Sequence, residues 1–221
     1  MKSEKLESFL LNFLAVVLGI VITFGCDSLV NRRQEAKSLK GSLELVAAEL
    51  EANLEIVSLG DTIMAAQKEA AEFLSRYENN FRKADQDSLL MYANIPFGVA
   101  DISIYTDAFE LLKSSGVLTK FKDKELALDI FRAYGSLKDV MTFYKMFFDR
   151  KKIYLDQAQD ARVTRILSSD EVRADELWEA MTATESGRQF LREISRFLYQ
   201  YDSEETVVAV RETIDRIKTY K

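Results

Sequence analysis

From Ser8 to Cys26 the chain reads SFLLNFLAVVLGIVITFGC, a run with no charge and no proline. As a helix rising about 1.5 Å per residue it measures about 28 Å, close to the thickness of a bilayer's hydrocarbon core. Past Cys26 the pattern changes to an amphipathic one. Apolar residues recur every seven positions at Leu29, Ala36, Leu43, Leu50 and Val57. Leu39 and Val46 fill matching positions, while Arg32 and Asn53 interrupt them. This is the heptad pattern of a helix with one apolar seam.

The later pattern predicts more helices. Leu59-Gly60-Asp61 reads as a turn, with Gly60 at a helix end and Asp61 capping the next helix. That next helix, over about 62–81, is expected to fold back as an antiparallel hairpin. Residues 82–88 read as a loop and 89–92 as a short helix. The segment 94–101 (NIPFGVAD) holds the only proline and reads as irregular. A helix over 105–113 ends at Gly116, and Asp123 opens a long helix over 124–159. Its predicted buried face is Ile130, Phe131, Tyr134, Leu137, Met141, Tyr144, Phe148 and Leu155. Ser168 with Glu171 reads as a capping box for a helix that includes Trp178. Gly187 opens a last long helix, which Asp202 and Glu205 recap midway.

The expected fold is all-α: an N-terminal transmembrane helix continuing into a long helix, then an antiparallel helical bundle. Residues 1–7 form a tail, 8–26 the anchor and 27–221 the helical domain. Composition supports this, since one proline and eight glycines in 221 residues leave little turn chemistry for strands. A cleaved signal calls for a basic start and a shorter apolar core, yet Glu4 and Glu7 offset Lys2 and Lys5. A lipoprotein signal ending at Cys26 has Phe24 and Thr23 in unfavourable places. The uncleaved anchor is the preferred reading. Arg32, Arg33, Lys37 and Lys40 draw the domain toward the cytoplasm by the positive-inside rule. Insertion in the manner of an uncleaved signal sends it outward, and the outward placement in a cell (inner) membrane is the expectation adopted.

The seam carries a candidate homo-oligomer interface of Asn12, Ala15, Gly19, Ile22, Cys26, Leu29, Ala36, Leu43 and Leu50. Small residues let helices approach in lipid, and a buried Asn can bond across them. The competing reading packs the same stripe on the chain's own helices.

The run Gly19-Ile20-Val21-Ile22 with Asp27 and Arg33, and the later pattern Tyr105, Phe109, Leu112, Lys113, Ser115, Gly116 and Leu118, resemble a group of bacterial single-pass membrane proteins. These have an N-terminal anchor and a helical domain of unknown function. Leu29 stands where that group has Trp. The resemblance covers about 11–134 and implies architecture and an outward domain in a bacterial inner membrane. It implies no activity.

Chemistry is sparse. The net charge is −6, which disfavours nucleic acid as a partner, since phosphate binding needs clustered Lys and Arg. There is no histidine, so the commonest general base and zinc ligand are missing. No phosphate-binding Gly loop or nucleophile elbow is present. Glu44, Glu49 and Glu51 face different directions and read as solvated carboxylates. No cofactor or metal is expected. The expected function is a non-enzymatic, membrane-anchored interaction or scaffold protein, whose partners are the lipid bilayer, a second copy and an unidentified protein. The alternative is a sensor domain with a ligand or partner site at Pro96, Phe97, Tyr105, Lys113, Ser115 and Gly116, beside the irregular segment.

Overall fold

The structure is a computed structural model. It describes the backbone of residues 2–116, 118, 121–169, 171–198 and 201–220, and within these the side chains from 34 onward. The described residues form eight α-helices and two short 3-10 turns, with no strand among them.

Helix α1 runs without a break from Lys2 to Arg76, 75 residues or about 110 Å. The predicted turn at Gly60 is therefore absent, and so is the hairpin. Gly60 lies inside the helix because another element presses on it. A Cβ at this position would overlap the ring of Tyr144. Residues 34–38 are all exposed, and among the described side chains packing begins at Leu39. From there Leu43, Val46, Leu50 and Val57 are buried, together with Asn53. The domain's own helices thus occupy the heptad seam at Leu43 and Leu50, which corrects their assignment to an oligomer interface. Ala36 is exposed. Asn12, Ala15, Gly19, Ile22, Cys26 and Leu29 lie outside the described side chains.

Beyond α1 the chain returns along it. Phe81 lies in a 3-10 turn, α2 is Gln86–Tyr92, and a second 3-10 turn is Ile95–Phe97. The hydroxyl of Tyr92 donates to Glu69. The amide of Gln67 donates to the Ile95 carbonyl at 2.6 Å, and Asn53 brackets Tyr105 by donating to its carbonyl and accepting from its amide, both at 2.8 Å. In the non-helical path 99–106, both backbone groups of Tyr105 are thus satisfied by a side chain of α1 instead of a sheet. Helix α3 (Asp107–Ser114) has no cap from its own N-cap residue, Thr106. Glu49 of α1 caps it, accepting from the amides of Ala108 at 2.7 Å and Phe109 at 3.2 Å. Gly116 ends this segment with a φ of 70°, in the left-handed region that suits glycine.

Helix α4 (Lys124–Ala158) starts where Asp123 accepts from the Leu126 amide at 2.9 Å. It runs parallel to α1, because Tyr134 meets Glu49, Tyr144 meets Val57 and Lys151 meets Gln67. Its predicted buried face is buried except at Phe131, which is 42% exposed and sets its edge against Phe109.

Helix α5 is Ala161–Leu167 and α6 is Ala174–Thr182. The expected capping box at Ser168 does not form: Ser168 closes α5 and Arg173 precedes α6. Trp178 is fully buried at the end of the bundle remote from the N-terminus, where its Nε1 donates to the Ala93 carbonyl at 3.1 Å. Its ring lies near Phe81 and Phe97. Helix α7 (Glu185–Phe197) starts after its N-cap Thr184, two residues before the expected Gly187, and a Cβ at Gly187 would overlap the Met181 backbone.

Helix α8 is Glu204–Thr219. Helices α7 and α8 lie end to end in the groove between α1 and α4, antiparallel to both. Arg150 bonds Glu193 near one end, while Lys218 reaches Glu51 and Arg216 reaches Asp129 near the other. The break between them faces Asp61. That carboxylate accepts from Tyr144 at 2.8 Å, Tyr201 at 2.7 Å and Ser203 at 2.6 Å. Asp61 is therefore the polar centre of the bundle, not the start of a second helix.

Candidate functional site: a basic cleft between α1 and α7

The residues read from the sequence as one ligand site fall into two places. Pro96 is buried, and Phe97 packs against Trp178 with ring centroids 5.3 Å apart. These sit beside Gln67. Tyr105, Lys113, Ser115 and Gly116 sit with α3, beside Asn53 and Glu49. On α1 the two groups are separated by 14 residues or more, at least about 21 Å along the axis. Lys113 pairs with Glu110 at 2.7 Å and lies over the Phe109 ring. Ser115 Oγ donates to the Leu112 carbonyl at 2.8 Å. Phe97 is thus packed on α6, and Lys113 and Ser115 are bonded within their own segment, so the six residues divide between two separate places.

The three carboxylates Glu44, Glu49 and Glu51, which read as solvated, also part company. Glu44 lies 3.9 Å from Lys40, Glu51 pairs with Lys218 at 2.5 Å, and Glu49 caps α3. The Tyr134 hydroxyl donates to Glu49 at 2.5 Å. Burial, and then this bond, hold the Tyr134 phenol protonated well above its usual range. Among the described residues no group of three His, Cys, Asp or Glu is placed to hold a metal ion.

One buried charge stands out. Lys151 is 3% exposed. Its Nζ donates to Gln67 Oε1 at 3.0 Å and to the Gly98 carbonyl, and it lies over the rings of Phe147 and Phe148. Both acceptors are neutral, so burial lowers its pKa to about 8. In the unfolded chain the same lysine titrates near 10.4. Between those values the unfolded chain binds more protons, so stability rises with pH from about 8 to about 10. Urea titrations across that window are expected to show the rise, and Lys151→Met to abolish it. An identical rise in the variant would assign it to other groups.

An open cleft lies between α1 and α7. Its volume is about 930 Å³, and it is lined by Lys68, Glu72, Ser75, Arg76, Arg192, Ser195 and Arg196. Four cations thus face one carboxylate in a chain whose net charge is −6. Helical spacing puts them there. Lys68, Glu72 and Arg76 recur every fourth residue on α1 with Ser75 three residues past Glu72, and on α7 Ser195 and Arg196 lie three and four residues past Arg192. The opposite faces of both helices are buried, with Ala70, Ala71 and Leu74 on α1 and Phe190, Leu191 and Ile194 on α7.

The cations are only partly satisfied. Arg192 lies 3.3 Å from Glu185, which Arg188 also holds at 2.9 Å. Arg196 lies 3.8 Å from Glu193, whose closer partner is Arg150 at 3.1 Å. Arg76 donates to the Glu72 backbone carbonyl at 3.3 Å. Lys68 makes no ion pair with any described residue. Exposed pairs of this kind contribute under about 1 kcal/mol each, so these side chains can be recruited by another anion at small cost. The sequence carries a signal for half of the cleft: Arg188, Arg192 and Arg196 repeat every fourth residue. The other half comes from a helix more than a hundred residues earlier and is visible only once α7 packs on α1.

Among the residues whose side chains are described, from 34 onward, no helix is long and apolar enough to cross a membrane; the side chains of Ser8–Cys26 lie outside that set. Comparison with protein-family models, with curated proteins and with solved structures finds no match.

Proposed function

We propose that the chain is a membrane-anchored helical interaction protein without catalytic activity, in a bacterial inner membrane with its domain on the outer side. The observation that carries this reading is the continuity of α1. The uncharged stretch Ser8–Cys26 and the bundle's central packing residues belong to one helix, Lys2–Arg76. A single helix that is anchor at one end and core at the other holds the domain at a fixed distance from the bilayer. Leu39, the first packed residue among the described side chains, lies 13 residues past Cys26, about 20 Å along the helix. The resemblance of residues 11–134 to bacterial single-pass proteins supports the same placement. Among the described residues no buried side-chain polar atom lacks a partner, and the basic cleft is the surface feature we take for recognition.

Detergent phase partitioning of the full chain tests the anchor. The chain is expected in the detergent phase, and Val17→Arg with Val21→Arg is expected to move it to the aqueous phase without changing its thermal unfolding. Recovery of the unaltered chain in the aqueous phase overturns the proposal. A tag after Lys221 tests the side. Digestion in cells with a permeabilised outer membrane is expected, and protection until the inner membrane is opened overturns the outward placement.

A further inference from the structure

We infer that the cleft between α1 and α7 binds an extended acidic segment of a partner protein, an inference that deepens the interaction reading by naming what is recognised. The cations are arranged along a line and do not surround a point. Lys68 and Arg76 are eight residues apart on α1, about 12 Å, and Arg192 and Arg196 are four apart on α7, about 6 Å. A single phosphate or carboxylate spans about one such step. An extended peptide rises about 3.3 Å per residue with alternate side chains on one face, so acidic residues at alternate positions recur about every 6.6 Å, close to the Arg192–Arg196 interval. Three of the four cations are arginines, whose planar forks bind carboxylates through two parallel bonds. Ser75 and Ser195 add hydroxyl donors on the two walls. Glu72 gives the cleft a repulsive element that disfavours acidic residues in register with it.

Position selects a protein segment over the headgroups of the chain's own bilayer. Lys68 and Arg76 lie 42 and 50 residues beyond Cys26 on one continuous helix, about 63 and 75 Å from the anchor's end. The bundle's remaining surface is acidic on balance, so the cleft is a local exception that steers an acidic partner to one end of the domain.

The test uses the full chain in detergent and a fluorescein-labelled ten-residue peptide of alternating Asp and Ser, read by anisotropy. Binding is expected at low salt, weakening at least tenfold at high salt. Arg192→Glu with Arg196→Glu is expected to weaken it at least tenfold. Arg162→Glu with Arg165→Glu, on exposed α5, is expected to change it less than twofold. Arg196 is 82% exposed, so Arg196→Glu alone, with unchanged thermal unfolding, separates loss of binding from loss of fold. Absence of peptide binding, or equal loss in the α5 variant, overturns the inference. Binding of tripolyphosphate to the same arginines without peptide binding also overturns it, in favour of a phosphorylated small molecule. None of these results depends on the anchor, so the inference fails or stands separately from the membrane placement.

Discussion

Replacing Asp61 with alanine is expected to lower the free energy of unfolding by about 3 kcal/mol, estimated from the cost of removing a charged acceptor from buried donors. Asp61 serves three hydroxyls at once, from Tyr144 on α4, Tyr201 between α7 and α8, and Ser203 at the start of α8. Each hydroxyl has one proton to give. The Tyr144 oxygen also lies 3.1 Å from the Val57 carbonyl, and the Tyr201 hydroxyl lies 2.9 Å from Tyr144. The shorter distances to Asp61 assign both phenolic protons to the carboxylate. Without it, Tyr144 turns to Val57 and Tyr201 to Tyr144, so only part of the bonding is lost. Bonds to a charged acceptor contribute about 1.5–3 kcal/mol each, and this fallback keeps the total well under their sum. Urea unfolding measures the loss. A change below about 0.5 kcal/mol, the size of an ordinary surface substitution, would show that the network contributes nothing.

The same centre sets the alkaline limit. Burial first, and then the bonds to Tyr201 and Asp61, hold the Tyr144 phenol protonated far above its usual range. Tyr201 is pushed up to about 12, again chiefly by burial. The unfolded phenols ionise near 10. Above that pH the folded chain binds more protons than the unfolded one, so this contribution is intact below about pH 10 and is lost as the pH rises through 12. It opposes the gain from Lys151 and places the stability maximum near pH 10 for these groups together.

What the sequence discloses depends on whether a residue acts locally or through a distant element. Asp123 and Gly116 act locally, as a cap and a left-handed stop, and both are readable from their neighbours. The scarcity of glycine and proline is equally local, and it predicts the all-helical architecture. The break between α7 and α8 has no glycine or proline to mark it. Asp202 accepts from the Glu204 amide at 2.8 Å, but the N-cap of α8 is Ser203, which makes no side-chain cap bond, so the helix restarts here without the expected pairing of Asp202 with Glu205. The interruption itself is fixed by Ser203 and Tyr201 bonding Asp61, more than a hundred residues away.

Asn53 looks like a flaw in the heptad, as does Gln67 two heptads later on the same face. Both are buried, and both bond the returning segment. Paired polar residues at core positions are a legible sign that a non-helical backbone lies against that stripe. The cleft is half legible, through the arginine repeat on α7. The segment 94–116 reads as irregular from its proline and glycine, but that its residues divide between Gln67 and Asn53 of α1 is visible only in the fold.

Gly60→Ala is expected to destabilise the domain by about 2 kcal/mol, against the ordinary preference of helices for alanine. In an open helix position the exchange is favourable by about 1 kcal/mol. Gly41 and Gly135 provide that reference, since a Cβ at either meets nothing within 4 Å. Gly41→Ala and Gly135→Ala are therefore expected to raise stability by about 0.5–1 kcal/mol.

At Gly60 the new methyl overlaps Cε2 and Cζ of Tyr144 and lies 2.7 Å from its hydroxyl oxygen. Tyr144 is 1% exposed and has no free space to move into. Relief requires α1 and α4 to separate, or the ring to tilt and abandon Asp61. Overpacking of this kind costs about 1–3 kcal/mol, and the disturbed hydrogen bonds add to it, which outweighs the helix-propensity gain. Tyr144→Leu removes the obstructing ring, so in that background Gly60→Ala is expected to be neutral or stabilising. A double-mutant cycle by urea unfolding reads the coupling directly. If Gly60→Ala stabilises the unaltered chain as Gly135→Ala does, α4 does not press on α1 there, and the parallel packing of the two longest helices is wrong at its centre.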